Sequence, residues 1–175
     1  LQQLGSESGS LVRIKFQQYD NFAYSDSGYD VSSDYYDGFA FDRITLGLQP
    51  VIPPMIETFE TGVGAFVQSS TASGEIVVSN TNAPRSGSKH LLLDSTSNGV
   101  FSANTAVLYV DAAGWTNLGL AFWHKSLWDE PDPISATFSN SIEGDGVSAS
   151  LDGVTWQRLT DLAQSYSDPG VYHLY

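Results

Sequence analysis

The sequence lacks cysteine altogether and is poor in basic residues and methionine. Its 175 residues include no Cys, one Met and only 7 Lys or Arg against 20 Asp or Glu, which gives a formal net charge of −13. Without cysteine there is neither a disulfide framework nor a thiol nucleophile. Because this negative charge repels phosphate backbones and anionic lipid surfaces, we expect neither nucleic-acid binding nor binding to an anionic membrane surface.

Long apolar runs and N-glycosylation sequons are also missing. No stretch approaches the roughly 20 apolar residues of a membrane-spanning helix, so we expect no membrane insertion. The chain does have 41% hydrophobic residues, enough for a core, at a length that suits one domain of roughly 100–200 residues. Few Lys and Met together with abundant Ser, Thr, Asn, Gly and Tyr favour an extracellular or cell-surface β-protein.

Alternation of apolar and polar residues dominates the chain, and the 3.6-residue periodicity of helices is nearly absent. Val12, Ile14 and Phe16 alternate with polar residues, which predicts a strand with one face in the core. Further strands, separated by clusters of turn residues, are expected at Gly74–Asn80, His90–Asp94, Thr105–Asp111, Asn117–Lys125, Gly146–Leu151, Thr155–Leu159 and Gly170–Tyr175. This pattern predicts an all-β fold, a jelly-roll β-sandwich of two antiparallel sheets.

One strand changes its apolar phase midway. The apolar positions switch from Phe39 and Phe41 to Ile44 and Leu46. Because side chains alternate between the two faces of a sheet, this switch needs one extra residue. We therefore predict a β-bulge at Asp42–Arg43.

The segment 47–55 holds three prolines in an apolar context. Proline removes ladder donors and favours an extended backbone, so we expect a stiff connector or an edge strand. The segment is either a surface loop within one domain or a linker between two. The order of the motifs along the chain favours the linker.

Several short motifs resemble strands of MAM-type domains and related concanavalin-like jelly rolls. Phe59–Gly62 is similar to their opening strand, and Leu120–His124 resembles their central L-x-F-W strand. Their closing strands resemble Arg13–Phe16 and Gly38–Leu46, which here stand at the front of the chain. The segment 144–156 resembles jelly-roll repeats of large bacterial surface proteins, notably of planctomycetes. MAM domains carry cysteines that this chain lacks, so a receptor-like role is not implied.

The resemblance implies a chain that is out of phase with its repeat, or permuted. Residues 1–47 are then the closing strands of one sandwich, residues 48–55 a Pro-rich linker, and residues 56–175 the opening and middle strands of a sandwich. A sandwich without its closing strands exposes unpaired edges, so residues 1–47 must complete their own sandwich or that of a neighbouring copy. In the second case copies of the chain join head to tail into a filament. The sequence leaves both cases open.

The net charge is concentrated in two acidic groups, and calcium takes six to eight oxygen ligands. In jelly rolls of the resembled kind, a structural calcium ties the Glu of the opening strand to an Asp near the closing strand. The resemblance therefore implies Glu60 and Asp42 as ligands, with a backbone carbonyl near Lys89 as a third. The alternative is a solvated Asp and a Glu that caps a turn.

A second calcium site is suggested by the other acidic group, at Asp129, Glu130 and Asp145. Neither acidic group has the spacing of an EF-hand loop. Within the same group, Ser150–Trp156 resembles an Asp-box hairpin that is one residue short, and Asp152-Gly153 favours a tight turn. We interpret this hairpin as structural.

Aromatic residues in predicted loops suggest an alternative, glycan-binding role. Trp128, Tyr35 and Tyr36 lie outside the predicted strands and are the candidates for stacking on a sugar. The histidines, by contrast, fall in predicted strands without zinc spacing.

Nothing in the sequence indicates an enzyme, because there is no nucleophile elbow, no zinc motif and no identifiable carboxylate pair of a glycosidase. We therefore expect a non-enzymatic structural repeat or subunit of a cell-surface fibre or adhesive stalk, assembled by β-strand complementation and stabilised by calcium. A carbohydrate-binding module is the alternative, and a glycoside hydrolase is a third possibility.

Overall fold

Nearly all of the regular structure is β-strand. The computed structural model describes residues 11–20, 38–48, 55–97, 99–113, 118–127, 132–140, 144–163 and 170–175. The strands of this part of the chain are β1 (Leu11–Asp20), β2 (Phe39–Leu48), β3 (Met55–Glu57), β4 (Phe66–Ser70), β5 (Gly74–Ser79), β6 (His90–Ser95), β7 (Ser102–Asp111), β8 (Leu118–Ser126), β9 (Thr137–Ser139), β10 (Gly146–Ser150), β11 (Thr155–Asp161) and β12 (His173–Leu174).

These strands form two sheets that pack face to face. Sheet 1 has the order β4-β7-β1-β10-β11-β9, and sheet 2 has the order β12-β8-β2-β6-β5 with β3 beside β2. Every strand pairing in both sheets is antiparallel. The β-sandwich of two antiparallel sheets that the alternation predicts is therefore confirmed.

The first two strands of the described part of the chain lie in the interior of the sheets. β1 pairs with β7 on one side and β10 on the other. β2 pairs with β8 along one side, while its other side pairs first with β6 and then with β3. Each sheet thus receives one interior strand from residues 11–48, and all their pairing partners come from residue 55 onward.

The predicted bulge in β2 is present. Asp42 pairs with Trp123 of β8, but the next pair along the two strands joins Thr45 to Ala121, so the register shifts between them. Arg43 takes a left-handed backbone conformation with φ of 45°. The extra residue returns the apolar side chains that follow it to the core, and it leaves Asp42 buried on the outer face of sheet 2.

Aromatic rings fill the space between the sheets. The Phe16 ring of β1 makes edge-to-face contacts with Phe41, Phe66 and Phe122 at centroid distances of 5.1, 5.7 and 5.3 Å. Such pairs stabilise a core beyond the area they bury. Because these partners come from β2, β4 and β8, one side chain of β1 contacts both sheets.

The outer face of sheet 1 carries a second, smaller core that the alternation pattern does not predict. Ile134, Phe138 and Trp156 are buried there. They cover Lys15, whose Nζ lies 4.0 Å from the Trp156 ring and 4.9 Å from the Phe138 ring. β1 is therefore buried on both faces in this region, and its polar positions are not the solvent face.

Most strand bounds agree with the sequence prediction to within a few residues, but three short strands are additional. These are β3, β4 and β9, each of three to five residues. β3 follows the Pro-rich segment and pairs with β2, with Met55 opposite Leu46. Residues 49–54 lie outside the described part of the chain. No helix among the described residues is long and apolar enough to cross a bilayer.

Candidate functional site

Asp42, one of the two carboxylates of the first predicted calcium site, is fully buried at the bulge of β2. Its carboxylate accepts a hydrogen bond from the Ser86 backbone N–H at 2.8 Å and longer ones from the Ser86 hydroxyl at 3.2 and 3.3 Å. The carboxylate thus fixes the loop that connects β5 to β6.

Glu60, the other carboxylate of this first predicted site, follows β3 and contacts the same loop. Its Oε1 accepts the backbone N–H groups of Ser88 and Lys89 at 2.9 and 3.0 Å, and its Oε2 accepts the Ser88 hydroxyl at 2.7 Å. The Ser88 hydroxyl, followed by these backbone donors, lowers the pKa of Glu60. At Lys89 the backbone N–H faces the carboxylate, whereas the sequence suggested a carbonyl ligand there.

The two carboxylates therefore converge on residues 86–89. An ionised carboxylate has about four lone-pair sites, so the donors at Asp42 and Glu60 leave each group with acceptor capacity for a metal. Within the described ranges, no group of three or more acidic or histidine side chains could hold a metal ion. Two carboxylates supply fewer than the six to eight oxygens that calcium takes, so a calcium ion here would need serine hydroxyls, carbonyls and water as further ligands.

The second predicted site is only partly described. Asp145 is buried and accepts the backbone N–H groups of Tyr19 at 2.8 Å and Asp132 at 3.1 Å. It joins the end of β1 to the segment that carries the small outer core. Asp129 and Glu130 lie outside the described residues, as do the aromatic candidates Trp128, Tyr35 and Tyr36.

The Asp-box-like hairpin between β10 and β11 is held by its own acid. Asp152 Oδ1 accepts the backbone N–H groups of Val154 and Thr155 at 2.8 and 2.7 Å and lies 3.0 Å from the Ser150 hydroxyl. These hydrogen bonds, led by those from the backbone, lower the pKa of Asp152. The contacts of this carboxylate lie within the turn.

A polar cluster on the outer face of sheet 2 has no counterpart in the sequence prediction. His90 Nδ1 and the Tyr172 hydroxyl are hydrogen-bonded at 2.5 Å. Burial lowers the pKa of His90 to about 4 and raises that of Tyr172. At neutral pH the histidine is therefore uncharged and Tyr172 donates its proton to Nδ1, which leaves the ring proton on Nε2. Spacing gives no signal for this pair, because Tyr172 is far from His90 in sequence.

Lys125 lies beside this cluster, over the Tyr172 ring at 4.5 Å. Its Nζ donates to the carbonyls of Asn82 and Ala83, the second at 3.2 Å. Burial lowers the pKa of Lys125, while Asp42 opposes the shift. The lysine therefore fixes the start of the loop whose later residues are held by Asp42 and Glu60.

No protein-family model, curated protein or solved structure matches this chain.

Proposed function

We propose that the chain is an extracellular structural repeat of a cell-surface fibre or adhesive stalk, assembled by β-strand complementation and stabilised by calcium. The observation that supports this most is the interior position of β1 and β2. One strand from residues 11–48 enters each sheet, and neither strand pairs with the other.

This arrangement makes β1 and β2 an insert, which completes the two sheets that the described strands from β3 onward build. Without β1, the edges of β7 and β10 are unpaired, and without β2 the same holds for β8 and β6. The pairings close within one chain here. Exchange of the insert between copies keeps every one of these pairings, because only the connection between β2 and β3 changes its path.

Calcium at the Asp42–Glu60 pair would strengthen the junction between insert and receiver. Asp42 belongs to the insert, and Glu60 belongs to the receiving part of the chain. Both already contact residues 86–89. A divalent cation bound by both carboxylates would connect the two parts and neutralise two of the acids that give the chain its charge.

The absence of cysteine allows a direct test of strand exchange by disulfide trapping. Arg13 of β1 is directly opposite Tyr109 of β7, and opposed residues of antiparallel strands are within about 5.5 Å at Cβ. Variants Arg13→Cys and Tyr109→Cys are mixed, unfolded, refolded together and oxidised. Disulfide-linked heterodimers are expected if copies exchange the insert. The double variant in one chain should then give a ladder of linked species.

Ser69→Cys with Thr105→Cys provides the matched control, because both positions lie in the receiving part and are opposed in β4 and β7. This pair should close within one chain in every case. The proposal fails if the Arg13/Tyr109 double variant also closes only within its own chain at all concentrations, and mixed single variants stay unlinked.

A further inference from the structure

The guanidinium group of Arg85 lies over an indole ring on the outer face of sheet 2. Its Cζ is 3.5 Å from the centroid of the Trp123 ring. Arg85 is exposed and Trp123 is half-buried. Stacking restricts the orientation of the guanidinium, and no residue of the described ranges accepts a hydrogen bond from its N–H groups.

The backbone that carries Arg85 is held at nearly every residue. Asn82 and Ala83 take left-handed conformations, with φ of 56° and 50°, and Lys125 binds their carbonyls. Ser86 is held by Asp42, and the Arg85 backbone N–H is hydrogen-bonded to Tyr172. Unfavourable backbone conformations that are held by their surroundings concentrate at ligand-binding sites. The result here is a fixed position for the Arg85 side chain.

Arg85 is also one of two basic residues whose side chains form no hydrogen bond or ion pair within the described part of the chain. The chain has seven Lys and Arg residues, all of them described. Five of them donate hydrogen bonds to backbone carbonyls, namely Arg13, Lys15, Lys89, Lys125 and Arg158. Arg158 also forms an ion pair with Asp161. Among the described residues nothing pairs with the side chains of Arg43 and Arg85. Of these two, only Arg85 is oriented by a stacked ring.

We propose that the Arg85–Trp123 stack is a docking point for a carboxylate side chain of a second copy of this chain. An arginine fork binds a carboxylate through two parallel hydrogen bonds. Copies with a net charge of −13 repel one another at a distance, so lateral contact requires a local cation that is free to pair. Each copy supplies 20 acidic side chains as partners. The inference rests on the proposed function only in that neighbouring copies are present, and it concerns contact between surfaces, not strand exchange.

Sedimentation equilibrium of the full chain tests this contact. Arg85→Gln should lower the self-association constant by about tenfold, the loss of one charge-assisted bidentate pair. Arg43→Gln is the matched control, because it removes the same charge from an exposed, unpaired arginine and should change association far less. Arg85→Lys keeps the charge but loses the planar fork, so it should associate more weakly than the wild type.

Equal effects of the Arg85→Gln and Arg43→Gln changes would mean that bulk charge alone matters, and would overturn the proposal. The proposal would also be overturned if the wild-type chain showed no self-association in sedimentation equilibrium other than the strand exchange that disulfide trapping detects. If Arg85→Gln leaves self-association unchanged but abolishes binding of an oligogalacturonate, the ligand is an acidic glycan and the proposal is wrong. Because disulfide trapping measures exchange without involving Arg85, failure of the fibre proposal and failure of this one are distinguished.

Discussion

Asp42 and Glu60 bind nearby residues of one loop, although Asp42 lies within strand β2 and Glu60 lies in the connection that follows β3. The Asp42 carboxylate accepts the Ser86 backbone N–H at 2.8 Å, and the Glu60 carboxylate accepts that of Ser88 at 2.9 Å. Asp42 lies on an interior strand of sheet 2, and Glu60 follows its short edge strand. The loop therefore joins the first part of the chain to the rest.

Calcium should raise the melting temperature of the protein if these carboxylates share an ion. A ligand present at 100 times its dissociation constant adds about 2.7 kcal/mol to the free energy of unfolding. Asp42→Asn and Glu60→Gln should each remove this gain in differential scanning calorimetry, whereas Asp161→Asn, whose carboxylate pairs with Arg158, should keep it. Equal melting temperatures in calcium and in chelator would contradict the prediction.

Phe16→Ala should cost about 3–5 kcal/mol in the free energy of unfolding, because it leaves a cavity where an aromatic ring contacts three others. Phe101→Ala is the control. That ring is 55% exposed, and among the described residues its one aromatic contact is Tyr19, so we expect a loss below about 1 kcal/mol. Urea titration of both variants measures the difference. Similar losses would mean that Phe16 is not the centre of the core.

Lys15→Met should change how stability depends on pH in the alkaline range. Burial lowers the pKa of Lys15 from 10.5 to about 8, so between these values the unfolded state binds more protons than the folded state. The wild type should therefore gain stability relative to Lys15→Met as pH rises from 8 toward 10.5, by at most about 1.4 kcal/mol per pH unit. Parallel stability profiles for the two proteins would show that Lys15 keeps its proton when folded.

His124→Leu should reduce the sensitivity of the fold to acid. His124 is fully buried against Phe39 and Phe41, and neither ring nitrogen has a hydrogen-bond partner among the described residues. Burial lowers the pKa of His124 to about 3. Between this value and 6.5 the unfolded state binds the extra proton, so the wild type loses stability as pH falls, by about 1.4 kcal/mol per unit.

The difference in the free energy of unfolding between wild type and His124→Leu measures the contribution of His124, because the effect of His90 is common to both proteins. Chemical denaturation at pH 7, 6, 5 and 4 should show this difference narrowing or reversing in favour of the variant. A constant difference would contradict the prediction. At neutral pH the variant also removes a buried donor that has no partner in the described part of the chain, which offsets about 1–3 kcal/mol of the cost of the substitution.

Strand positions were largely predictable because alternation is a local property of the chain. The apolar phase switch located the bulge at Asp42–Arg43, since a strand must add a residue to change the face that it buries. Short edge strands such as β9 were not predictable, because three residues are too few to establish a period. The burial of Lys15 was missed for another reason: its cover comes from Phe138 and Trp156, which are distant in sequence.

The sequence by itself determined a cysteine-free, acidic β-sandwich. Composition is independent of the fold, and period-two alternation depends only on residues that are neighbours in the chain. The tertiary structure alone decided which side chains meet. It placed β1 and β2 inside the sheets, brought Asp42 and Glu60 to one loop and laid Arg85 on Trp123. Strand order depends on pairings between residues far apart in the chain, and no local pattern carries that information.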